Sequence, residues 1–152
     1  MKLSEILSAD RVSYGASVTS KKKALEELSA LLAKGTGTLT SAEVFTSLTG
    51  REKLGSTGLG HGVAIPHGRV AGVETSVGAF MRLKQAVDYD AHDGNPVDLV
   101  FGLLVPQSAT EAHLKHLAAI AEMFSDEDFC AKLRSASDDK ALYSLLSGYG
   151  SN

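Results

Sequence analysis

Residues 97–105 read VDLVFGLLV, with Asp98 the only charge among them and Pro106 directly after. A run this short and this apolar, rich in Val, Leu and Phe, is a strand covered on both faces; a half-solvated strand would alternate. Such a strand needs helices above and below it, and the segments on either side have helical patterns. On the C-terminal side, Ser108-Ala109-Thr110-Glu111 has the form of a capping box. It leads into a helix with Leu114, Leu117, Ala118, Ala121 and Phe124 on one face. Two shorter amphipathic helices follow, around Glu127 to Leu133 and Asp139 to Leu146, closed by Gly148.

On the N-terminal side, His92-Asp93-Gly94-Asn95-Pro96 is a turn and Val87-Asp88-Tyr89 a further short strand. SVGAFMRL, Ser76 to Leu83, alternates as a strand does, and Val63-Ala64-Ile65 is a short apolar strand expected to leave the sheet at Pro66. GSTGLGHG, residues 55–62, reads as loop. Two helices precede it. Thr40-Ser41-Ala42-Glu43 is a capping box opening a helix to about Leu54, with Val44, Phe45 and Leu48 on its apolar face. An earlier helix is capped by Thr19 or Ser20, buries Ala24, Leu25, Leu28, Leu31 and Leu32, and ends at Gly35. The start, LSEILSADRVSYGAS, reads as a helical turn and then an edge strand. These elements predict an α/β fold, a single-domain sandwich over residues 1–152 with a central mixed β-sheet flanked by helices on both faces.

The 152 residues suffice for a sizeable core, and 43% hydrophobic with 22% charged residues is ordinary globular composition. A net charge of −3 gives no footprint for nucleic acid or an anionic membrane, and the one basic run, Lys21-Lys22-Lys23, reads as solvated helix. No apolar run approaches the ~20 residues of a membrane span, and none has the form of a leader. A single cysteine, Cys130, cannot form an internal disulfide, which fits a reducing cytoplasm. Without a CxxC or an adjacent histidine it reads as a small packed residue.

Five histidines carry the available chemistry: His61, His67, His92, His113 and His116. His67 follows Pro66, where pairing weakens, and precedes Gly68, which permits a turn and the approach of a bulky group. His113 lies early in the helix after the buried strand, where α/β folds gather their functional groups, and His116 shares its flank. Two imidazoles on one helix plus His61 or His67 would make a zinc triad, but no HExxH and no cysteine cluster accompanies them. GxSxG is missing, and GSTGLGHG is not a P-loop. Its successive glycines suit a nest of backbone N–H groups around an anion. An imidazole nucleophile with cationic and N–H donors nearby, Arg51 and the loop Ser56-Thr57-Gly58, is the equipment of phosphohistidine chemistry.

REKLGSTGLGHGVAIPHGRV, residues 51–70, resembles the active-site signature of phosphotransferase-system IIA proteins of the fructose–mannitol type. NPVDLVFGLLVP at 95–106 and EAHLKHLAAIAEMF at 111–124 resemble the later blocks of that family, and the nitrogen-regulatory branch is the nearest. The resemblance implies that His67 takes a phosphoryl group on Nε2 from an HPr-like phosphocarrier. It implies that His113 is the second, unphosphorylated active-site histidine, and that Arg51 flanks the phosphorylation site. Thr57 falls in the loop lining the pocket. His61 stands where the family usually has another residue and reads as solvated; His116 reads as a surface or helix-flank residue, and His92, in its turn, needs no functional explanation. No cofactor is implied. The branch is associated with regulation of potassium transport and sensor kinases, and nothing in these residues names a target. A transport-type component donating to a separate IIB protein is the alternative. The chain has neither a IIB-type cysteine loop nor a IIC membrane segment.

Overall fold

The computed structural model describes residues 2–150, so the first residue and the last two of the expected domain lie outside it. The apolar run forms strand β6, Val97–Pro106, in which only Asp98 is not buried. Antiparallel to it on one side runs β5, Val77–Val87, and β1, Val12–Ala16, lies parallel to β5 at the sheet edge. On the other side of β6 run β3, Val63–Ala64, and β4, His67–Val70, both parallel to it, with β2, Gly58–Gly60, antiparallel to β3 beyond. The sheet is therefore mixed.

Helices cover both faces, which places the protein in the α/β class. One face of the sheet, with Val100, Leu104 and Met81, packs on Leu25, Leu28 and Leu32 of α1 (Lys21–Thr36) and on Val44 and Leu48 of α2 (Ser41–Glu52). The other face, with Leu99, Phe101, Leu103 and Phe80, packs on α3 (Glu111–Phe124), α4 (Glu127–Ser135) and α5 (Asp139–Gly148). Alternate β6 side chains thus serve opposite cores, as strand geometry requires.

Several expectations need correction. Pro66 interrupts the strand without ending it: Val63 lies opposite Leu99, Ala64 opposite Val100 and His67 opposite Leu103, so the register is kept. The proline lacks an N–H, but its carbonyl still accepts from the Leu103 N–H at 3.0 Å. Gly58-Leu59-Gly60, expected as loop, is a strand. His61 and Gly62, both with positive φ (55° and 81°), make the two-residue turn that pairs it with β3. Val87 ends β5, and Asp88-Tyr89 are not strand. Helix α1 runs past Gly35 to a left-handed cap at Gly37. Gly35 instead admits Val77, whose Cγ1 would lie 2.5 Å from an added Cβ. Gly68 likewise sits under α2: an added Cβ would lie 2.1 Å from Ser47 Oγ, which donates to the Arg69 carbonyl. Its role is a close approach of helix to strand, not a turn. The cap of α3 is Thr110, two residues later than expected, and its partner at the third helical position is His113.

Candidate active site

His67 opens β4 and is half-buried. Its Nδ1 lies 2.9 Å from the Ile65 carbonyl oxygen. A carbonyl can only accept, so Nδ1 carries the proton and Nε2 of the neutral ring holds the bare lone pair. Burial lowers the imidazole pKa from its ordinary value, and the nearby Arg51 guanidinium acts in the same sense against the opposing pull of the Ile65 carbonyl and Glu52.

The folded chain keeps His67 neutral at pH values where the unfolded chain already takes up a proton. Stability contributed by the neutral ring is therefore present above the ordinary imidazole pKa of about 6.5 and is lost as pH falls below it. Titration of the His67 Cε1–H resonance is expected to show a midpoint below 6.5. A midpoint at or above 6.5 would contradict this environment.

Two cavities meet at the ring, of about 520 and 480 Å3. His67, Arg51, Leu114 and Leu117 line both. Arg51, at the end of α2, is oriented by donating from Nη1 to the Gly55 carbonyl at 2.8 Å. Ser56, Thr57 and Gly58 line the first cavity, but their polar groups are largely turned inward. The Thr57 N–H donates to Glu52 Oε1 at 3.2 Å, its hydroxyl donates to Glu52 Oε2, and the Gly58 N–H donates to Ser56 Oγ at 3.1 Å. The Ser56 hydroxyl donates to the Tyr89 carbonyl at 3.0 Å. The loop shapes the wall; these groups do not form the open nest of donors that the glycines suggested.

His113 is not among the residues lining either cavity. Its Nδ1 accepts the Thr110 N–H at 3.2 Å, which leaves the proton of the neutral ring on Nε2. Edge-on to it at 6.1 Å between centroids stands His116, whose Nδ1 is 2.9 Å from the hydroxyl of buried Ser76. Burial and the neighbouring His113 lower the His116 pKa. Among the described residues no group of three potential ligands is placed to hold a metal. His61 sits on its hairpin turn with its side chain 80% exposed.

Two features escaped the sequence reading. His92, read as a plain turn residue, lines the first cavity with His67. Lys21, read as solvated, pairs with Glu52 at 3.0 Å and lies 4.5 Å from the Tyr89 ring centroid. No local motif announced either; chain reversal brings them in. Three large apolar side chains at the cavities, Leu54, Leu59 and Leu114, are 83%, 49% and 45% exposed. Together they form an apolar rim around the His67 ring.

A mixed sheet flanked by helices on both faces, with a half-buried histidine at a strand start beside two cavities, is the form of a phosphotransferase IIA component. The chain belongs to the family described as phosphoenolpyruvate-dependent sugar phosphotransferase system, EIIA 2, whose model matches residues 5–149. It is 45% identical over 146 residues to the nitrogen regulatory protein of Bradyrhizobium diazoefficiens, covering 96% of this chain and 95% of that one. To the nitrogen regulatory protein of Klebsiella oxytoca it is 42% identical over 153 residues, covering 100% and 94%. The crystal structure of nitrogen regulatory protein IIA-Ntr from Neisseria meningitidis superposes with a TM-score of 0.89 at 45% identity, covering 95% of this chain and 98% of that one.

Proposed function

We propose that this chain is a cytoplasmic phosphoryl carrier that accepts a phosphoryl group on His67 Nε2 from an HPr-like phosphocarrier and regulates partner proteins through its phosphorylation state. The observation that carries the reading is the His67 Nδ1–H bond to the Ile65 carbonyl. It leaves the Nε2 lone pair to attack phosphorus. The new N–P bond forms as the N–P bond of the carrier's phosphohistidine breaks, and the departing nitrogen keeps the electron pair. His67 needs to lose no proton, because Nδ1 keeps its own throughout. Arg51 spends one of its five N–H donors on Gly55, and the others suit the phosphoryl oxygens. His113, one residue before Leu114, supports the site as an Nε2–H donor. The Ser56-Thr57-Gly58 loop closes the wall behind the group.

The exposed Leu54, Leu59 and Leu114 supply the docking surface for the phosphocarrier and for regulated partners. Phosphorylation places about −1.5 to −2 charges in the middle of that surface, by analogy with other phosphorylated side chains. A partner that seats on the apolar rim while His67 is neutral is repelled once it is phosphorylated. The shared level of identity with proteins named as nitrogen regulators favours regulation over transport. Among the described residues no helix is long and apolar enough to cross a membrane.

The test is intact-protein mass after incubation with phosphoenolpyruvate, enzyme I and an HPr-type carrier. The expected result is one acid-labile phosphoryl increment. No increment with any of several such carriers would overturn the carrier reading, and rapid onward transfer to an added IIB protein would overturn the preference for regulation over transport.

A further inference from the structure

A buried polar chain runs from the start of α1 to His67. The Glu52 side chain is only 6% exposed and is held by Lys21, itself 22% exposed, at 3.0 Å. Both carboxylate oxygens of Glu52 are occupied by Thr57, one by its N–H and the other by its hydroxyl. With that hydroxyl donating to Glu52, the Tyr89 phenol 3.3 Å away donates to Thr57 Oγ1. Burial, then Glu52 nearby, raises the Tyr89 pKa, so the phenol keeps its proton. The Thr57 carbonyl accepts the Ile65 N–H at 3.1 Å, and the Ile65 carbonyl accepts from His67 Nδ1 at 2.9 Å. Ile65 precedes a proline that has no N–H for the ladder. The Thr57 bond therefore anchors Ile65 from its N–H side, one peptide before the carbonyl that selects the tautomer of His67.

We infer that Glu52 is a positioning residue: through Thr57 and the backbone of Ile65 it fixes the His67 ring with Nδ1 protonated and Nε2 bare. The carboxylate touches neither the ring nor a phosphoryl group. Its part in transfer is to hold the loop–strand junction at the register that aims the Ile65 carbonyl. The inference rests on the reading of His67 as the nucleophile only for its kinetic consequence, since the tautomer is a property of the unphosphorylated chain. Lys21 offsets the charge, so that a carboxylate can be kept under the loop without a net buried charge.

Two readouts test this, one with and one without the phosphocarrier. In Glu52→Ala, long-range 1H–15N spectra of the unphosphorylated protein are expected to show the His67 nitrogens moving from the Nδ1–H pattern toward a tautomer average. In the transfer assay its kcat is expected to fall on the order of 10²-fold, the scale of a misplaced reacting group, with KM for the carrier changed by no more than about twofold. Glu52→Gln, which keeps an acceptor for the Thr57 N–H, restores most of both. A folded Glu52→Ala with wild-type His67 nitrogen shifts and wild-type kcat would overturn the inference. Should Glu52→Ala fail to fold, Thr57→Val decides: it removes the hydroxyl, keeps the N–H, and is expected to shift the same resonances by less, whereas unchanged spectra would overturn the inference. If the wild type takes up no phosphoryl group, the carrier reading falls, while the nitrogen spectra still decide the role of Glu52.

Discussion

His67→Ala takes up no phosphoryl group, and it stays folded. The expectation of complete loss comes from how the other imidazoles are disposed. The His113 Nδ1 lone pair is taken by a backbone N–H, so its neutral ring presents a proton on Nε2 and not a nucleophile. His116 lines neither cavity, and its Nδ1 is engaged with the hydroxyl of buried Ser76. His61 stands on an exposed hairpin turn whose neighbours are Glu127 and Asp93, away from both cavities. His92 is the one other imidazole on the wall of the first cavity. Among the described residues no carbonyl fixes the tautomer of its ring as the Ile65 carbonyl does for His67. The side chain of His67 is half-buried and makes one hydrogen bond to the backbone, so its removal is expected to cost about 1 kcal/mol of stability. Intact mass after incubation with the phosphoryl-donating system checks the first part and chemical denaturation the second. A full increment on His67→Ala, abolished only by His92→Ala in addition, would move the acceptor to the turn.

Phe101→Ala is expected to destabilise the fold by about 3–5 kcal/mol, the range for truncating a buried aromatic. Phe101 is 0% exposed at the middle of β6, with its ring centroid 6.0 Å from Phe124 on α3 and 6.4 Å from Phe80 on β5. With Leu99 and Leu103 it joins the strand to the helical layer that carries Leu114 and Leu117. The space it would leave is bordered by Gly78, whose missing side chain gives nothing to fill it. The urea midpoint reads the loss. Leu54→Ala, at a side chain 83% exposed, is the matched control and is expected to stay within about 0.5 kcal/mol of wild type. A loss below about 1 kcal/mol for Phe101→Ala would mean that this core is not packed as described.

The central strand was legible because its signal is local: an apolar run bounded by turn residues and a proline appears as β6 almost to the residue. The Thr40–Glu43 capping box was legible for the same reason, since its two reciprocal bonds lie within one turn. Gly58-Leu59-Gly60 was not, because glycine carries no side-chain periodicity and its strand state comes from pairing with β3. The signal that was available lies in His61-Gly62, two residues of a kind that tolerate positive φ, set between backbone partners. Pro66 was read through the bond it cannot donate, while the bond its carbonyl accepts keeps the strand in register. His67 and Arg51 sit close in sequence and announced a site. Lys21, Glu52 and Tyr89 come from three separate elements, and only folding places them behind it. A partnership of His113 with His67 was suggested by its place at a helix start after the buried strand and by the resemblance; the first turn of α3 engages its Nδ1 with its own cap and leaves the proton on Nε2.

The most direct measurement is the identity of the phosphorylated nitrogen, read from long-range 1H–15N spectra of uniformly 15N-labelled protein after phosphorylation. The account predicts phosphorus on Nε2 of His67 with Nδ1 still protonated against the Ile65 carbonyl. Phosphorus on Nδ1 of His67, or on any of the other four histidines, would contradict it.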